Sequence, residues 1–107
     1  MNWLQAKDFC RKSASSLASV NSMEENQFIS AMARSKGVDN TFWIGLSDIE
    51  KEGNWQWEDG SIWSFSNWLP NQPNNANGNQ HCAVIFSSSG QWADYRCEME
   101  KFVVCKK

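Results

Sequence analysis

The chain has 107 residues, a net charge of −2 from 10 basic and 12 acidic side chains, and 41% hydrophobic residues, the size and balance of one compact domain. No block of Lys and Arg is present to grip a nucleic-acid backbone, and no apolar run approaches the ~18 residues of a membrane span. Seven Trp residues stand out, at positions 3, 43, 55, 57, 63, 68 and 92; at roughly 200 Å² each, most are expected to fill the core.

Asn2 is placed to cap a helix with Trp3, Ala6, Cys10 and Ala14 on one face, weakened at its far end by Ser13–Ser16. The first residues give way at once to Lys7 and Asp8 and do not read as a signal peptide, so a secreted chain would need a leader not present here. Ser22-Met23-Glu24-Glu25 is a capping box opening a second helix, with Phe28, Ile29, Met32 and Ala33 as its apolar face and Gly37 as its stop. Phe42–Leu46 is short, apolar and β-prone; Trp55-Gln56-Trp57 alternates, and Asp59-Gly60 supplies a turn before Ile62 and Trp63.

Residues 69–81 form a long polar stretch, rich in Asn and Gln, that holds both prolines and has no hydrophobic period. A segment of this kind beside a well-specified core is usually functional. Cys82–Phe86 and Gln91–Arg96 flank the turn cluster Ser87–Gly90, and Phe102–Cys105 is the closing strand. Helices first and strands after give an α+β domain.

Four cysteines, Cys10, Cys82, Cys97 and Cys105, allow three pairings. A hairpin centred on Ser89-Gly90 sets Cys82 opposite Cys97, within bridging range, and leaves Cys10 for Cys105. No pair has zinc-knuckle spacing and a single His is present, which argues against a cysteine-held zinc. Paired cysteines imply an oxidising, extracellular compartment.

Taken in order, a set of residues now resembles one family over almost the whole chain. They are Trp3, Ala6 and Cys10; Leu17-Ala18-Ser19-Val20 and Glu25; Phe42-Trp43-Ile44-Gly45-Leu46; Trp55-Gln56-Trp57 with Asp59-Gly60; Trp68; Gln72-Pro73-Asn74; Cys82; Gly90, Trp92, Asp94 and Cys97; and Phe102 with Cys105. The family is the C-type lectin-like domain. The resemblance implies a single domain over residues 1–107 with an α+β, C-type lectin-like fold: two helices, small antiparallel sheets, a long ligand-binding loop, and the disulfides Cys10–Cys105 and Cys82–Cys97. Family members usually begin with a strand that pairs with the C-terminal one. This chain starts at the first helix, so the segment Phe102–Lys106 is expected to lack a neighbour.

The resemblance also implies a calcium site in the long loop. Its ligand positions fall on Gln72, Asn74, Gln80, Ala93 and Asp94. Calcium takes 6–8 oxygens, several of them carboxylates. Here Gln72, Asn74 and Gln80 are neutral, Ala93 cannot ligate, and only Asp94 is charged, so calcium is expected to bind weakly or not at all. The auxiliary calcium position of the family falls on Asp48 and Glu52, with its loop-side acids replaced by Asn75 and His81. Beside Cys82, His81 reads as a plain loop residue.

No nucleophile–base motif, zinc-protease motif or phosphate loop is present, and the family is non-catalytic. The expected function is glycan recognition by a secreted domain of the kind used in innate recognition, with Gln72, Asn74, Asn75, Gln80 and Asp94 as the ligand-binding residues. Paired amide donors and acceptors suit sugar hydroxyls. The alternatives are a calcium-independent domain that binds a protein or other cell-surface ligand and, less in keeping with four cysteines, one that binds ice. No nucleic-acid partner or membrane insertion is expected.

Overall fold

The structure is a computed structural model and describes residues 1–35, 41–73 and 78–106. Both helices begin where the sequence places a cap. Helix α1 spans Trp3–Lys12; the Asn2 side-chain Oδ1 accepts from the Gln5 N–H and the Gln5 side chain accepts from the Asn2 N–H, a reciprocal capping box. Trp3, Ala6 and Cys10 form its buried face. Ala14 does not extend that face: it lies past the helix, exposed, with φ at 56°. Strand β1, Ser16–Leu17, follows.

Helix α2 spans Met23–Arg34, and the Ser22 hydroxyl accepts from the Glu25 N–H. The Glu25 carboxylate accepts from the Asn21 N–H and pairs with Lys106 Nζ at 2.6 Å. The expected apolar face is rotated. The buried residues are Asn26, Ile29, Ser30 and Ala33, whereas Phe28 is 67% exposed and Met32 lies at the surface. The reason is a polar clasp. Buried Asn26 donates to the Gly90 carbonyl at 2.8 Å and accepts from Trp92 Nε1 at 2.8 Å, which draws the helix in along its Asn26 side. The expected stop, Gly37, lies outside the described residues.

The remaining strands are β2 (Thr41–Ser47), β3 (Gln56–Trp57), β4 (Cys82–Phe86), β5 (Trp92–Tyr95), β6 (Phe102–Val103) and β7 (Cys105–Lys106). The main sheet runs β3-β2-β4-β5 with antiparallel pairings, and β6 joins β2 in parallel. Strand β7 pairs antiparallel with β1, Leu17 opposite Cys105. The C-terminal segment therefore has neighbours on both counts, contrary to the unpaired edge expected for it.

Strand β2 is buried on both sides, which explains its unbroken apolar run. Phe42, Ile44 and Leu46 join one core cluster with Ile29, Ala33, Trp57, Ile85 and Trp92. Trp43 faces a second cluster with Trp3, Ala6, Cys10, Leu17 and Val84. Between them, Gly45 has no room for a side chain: a Cβ would sit 2.7 Å from the Leu17 carbonyl oxygen. Five of the seven Trp are buried, at positions 3, 43, 55, 57 and 92. Ile62 and Trp63, just after the Asp59-Gly60 turn, are in no strand and are exposed, at 83% and 42%.

Both expected disulfides are formed, Cys10–Cys105 and Cys82–Cys97, with Cα–Cα distances of 5.6 and 5.3 Å. The β4–β5 register differs from the expected one by two residues, because Cys82 opposes Tyr95 rather than Cys97. The loop closes with Phe86 N–H to the Gln91 carbonyl and Gly90 N–H to the Phe86 carbonyl, so its centre lies nearer Ser88-Ser89. A slip of two preserves which side each residue faces, and Cys97 reaches Cys82 from just past the strand.

Candidate functional site

The sheet holds both ends of the polar stretch at residues 69–81. At the start, Trp92 N–H donates to the Asn67 carbonyl at 2.9 Å, and Leu69 N–H donates to the Trp92 carbonyl at 2.8 Å. At the end, Asp48 N–H donates to the His81 carbonyl at 3.0 Å, and Cys82 enters β4. The stretch thus leaves from β5 and returns beside the end of β2, with β4 between those strands. Within it, Gln72 N–H donates to the Leu69 carbonyl, and the Gln72–Pro73 peptide is cis.

Of the five expected ligand-binding residues, three are described. Gln72 and Gln80 are partly buried, and Asp94 lies in β5 opposite Ala83, 3% exposed. Asn74 and Asn75 lie outside the described residues. Oε1 of Gln72 is enclosed and has no hydrogen-bond partner among the described residues. Ala93 packs in the second core cluster at 5% exposure, so a longer polar side chain there would be driven into apolar contacts.

The auxiliary pair is assembled more tightly than its spacing suggests. Asp48, immediately after β2, is 2% exposed, so it is no solvated turn residue. Its Oδ2 accepts from the Gly53 N–H at 2.9 Å, and its Oδ1 lies 3.0 Å from His81 Nδ1. Glu52 Oε1 stands 3.4 Å from the same nitrogen. Lost hydration and then the neighbouring Asp48 charge push the Glu52 carboxyl above its ordinary range, Asp94 adds to the push, and His81 opposes it. His81 is thus a member of this cluster and not a plain loop residue. The sequence signal was present but weak: His81 occupies one of the auxiliary ligand positions, with an imidazole in place of an acid.

The comparisons with known proteins bear on the family and the fold. The sequence profile of the lectin C-type domain matches residues 1–107. Perlucin of Haliotis laevigata is 34% identical over 108 residues, covering 99% of this chain and 70% of perlucin. The hepatic lectin of Gallus gallus is 38% identical over 109 residues, covering all of this chain and 50% of that protein. Among solved structures, the mouse scavenger receptor C-type lectin carbohydrate-recognition domain superposes with a TM-score of 0.88 at 34% identity, over 99% of this chain and 82% of that one.

Proposed function

The chain belongs to the lectin C-type domain family, a family of non-catalytic carbohydrate-binding domains, and from that premise we propose that it recognises glycans through the loop at residues 69–81 together with Asp94, without depending on calcium. The observation that carries the reading is the anchoring of an amide-rich loop at both ends to a rigid sheet, through Leu69 to Trp92 and His81 to Asp48. Side chains held this way can present paired donors and acceptors to vicinal hydroxyls at low ordering cost.

The family usually binds calcium, but the donor set in this loop does not fit it. Gln72 and Gln80 offer neutral oxygens, Asp94 the one carboxylate, and Ala93 is committed to the core. Among the described residues of the loop, the enclosed Oε1 of Gln72 is without a hydrogen-bond partner and could be satisfied by a cation. With Asn74 counted from the sequence, one carboxylate and three amide oxygens fall well short of 6–8 oxygens carrying several charges, so calcium binds weakly or not at all. The two disulfides support an oxidising, extracellular setting, and among the described residues no helix is long and apolar enough to cross a membrane.

A second reading, a protein ligand bound without calcium, draws on the exposed apolar pair Ile62 and Trp63. A glycan array probed with the native domain and with Asn74→Ala/Asn75→Ala separates the two. Glycan binding that the double substitution abolishes supports the loop reading. An empty array points to the protein ligand, and binding that survives the double substitution places the surface elsewhere.

A further inference from the structure

Among the described residues, one cluster of titratable side chains has the geometry of a metal centre. Asp48, Glu52 and His81 each bring a donor atom within 4.8 Å of the other two. We propose that these three residues bind a divalent transition-metal ion of the zinc class, and that the site selects against calcium. This inference stands independently of the glycan reading.

Three observations on the molecule carry it. The first is donor type. An imidazole nitrogen suits zinc, copper and nickel, whereas calcium takes oxygen. The second is spacing. In a tetrahedral zinc site with bonds of about 2.0–2.1 Å, ligand atoms stand about 3.3–3.4 Å apart. His81 Nδ1 lies 3.0 Å from Asp48 Oδ1 and 3.4 Å from Glu52 Oε1, so small outward shifts would seat the ion. The third is the setting of each ligand. The Asp48 side chain is fully buried, and its second oxygen is fixed by the Gly53 N–H, the kind of outer contact that orients a ligating carboxylate. The His81 and Glu52 side chains are 31% and 58% exposed, so an ion can reach the cluster from solvent. Two carboxylates held beside an imidazole make a negative locus that a dication neutralises.

An ion there would join the turn after β2 to the last residue of the polar stretch. No cysteine is free, and His81 is the chain's single histidine, so a zinc response has one imidazole to be assigned to.

The test uses the intact domain, stripped with chelator and dialysed. Zinc at roughly tenfold excess over its dissociation constant should raise the melting temperature by about 5 °C or more, while ~1 mM calcium should not move it. Calorimetric titration should give one zinc per chain. Cobalt should develop the visible absorption of a low-coordinate site. His81→Ala should abolish the zinc shift, and the exposed-side change Glu52→Gln should weaken zinc by about tenfold, with both variants melting cooperatively. His81→Asp should lower the zinc-to-calcium preference by at least about tenfold. The proposal is overturned by a native melt indifferent to zinc, by calcium acting as strongly as zinc, or by a zinc shift that survives both His81→Ala and Glu52→Gln.

Discussion

Strands β2 and β4 are almost wholly buried and nearly all apolar, whereas residues 69–81 are almost wholly polar and touch the sheet through backbone hydrogen bonds at their two ends. The first region is specified by volume. The aromatic rings packed around it meet edge to face, with Trp92 5.5 Å from Trp57, 5.8 Å from Phe65 and 5.7 Å from Trp68. The second is specified by where its ends are tied. Substitutions in the core should therefore change stability, and substitutions in the loop should change binding while leaving stability within about 0.5 kcal/mol.

The largest contrast is expected between two tryptophans. Trp92→Ala removes a fully buried ring and should destabilise by about 3–5 kcal/mol, read by urea unfolding. Trp63→Ala removes a ring that is 42% exposed and should cost less than half as much. Equal losses would show that the surface ring is as structural as the central one.

The disulfides give the next comparison. Cys10–Cys105 closes 95 residues of chain and Cys82–Cys97 closes 15. On the chain-entropy account the longer loop contributes about 4.7 kcal/mol and the shorter about 3. Replacing each pair by Ala should reproduce that order in the unfolding midpoints. Loss of glycan binding with Cys82→Ala/Cys97→Ala but not with Cys10→Ala/Cys105→Ala would sharpen the link between the hairpin and the loop.

Much of this core was legible in the sequence because its signals are local. The two caps, the strand at Phe42–Leu46 and the Trp-rich burial depend on periodicity and on side-chain chemistry within a few residues. The face of α2 was not legible, because Asn26 looks like a surface residue until Gly90 and Trp92 are brought to it from more than sixty positions away. The hairpin register failed for a related reason: Gly90 sits at positive φ beneath Asn26, so tertiary contact shaped the turn. The partners of the C-terminal strands were missed because Ser16–Leu17 is too short to announce itself. At the candidate site, the positions of Asp48 and Glu52 were legible, whereas the part played by His81 required the fold to bring it beside Asp48.

The buried clasp yields a smaller prediction. Asn26→Ala leaves Trp92 Nε1 without its acceptor and removes one of two amide donors to the Gly90 carbonyl, the other being Asn67. An unpaired buried group costs about 1–3 kcal/mol, and the loss should appear in thermal melts.

The smallest effect is electrostatic. Partial burial pushes the Asp59 carboxyl up, but the Ser19 and Ser61 donors and the Lys106 charge outweigh it and hold the group below its ordinary value of 3.8. A depressed carboxylate adds stability that is present above the ordinary value and lost as pH falls through the folded one. Asp59→Asn should therefore flatten the acid side of the stability profile below about pH 4 and leave its slope at pH 5–7 unchanged. A variant profile parallel to the native one throughout would show that the Ser19–Asp59–Ser61 contacts carry no net charge preference.

The proposed glycan recognition runs through the amides of the loop rather than through a bound calcium ion. Titration of the strongest array glycan into the native domain, once in calcium and once in chelator, tests this most directly. The predicted result is the same affinity in both, within about twofold, the scale of a few tenths of a kcal/mol. Binding that is present in calcium and lost in chelator would contradict it, and would mean that Gln72, Asn74, Gln80 and Asp94 hold the ion despite their single charge.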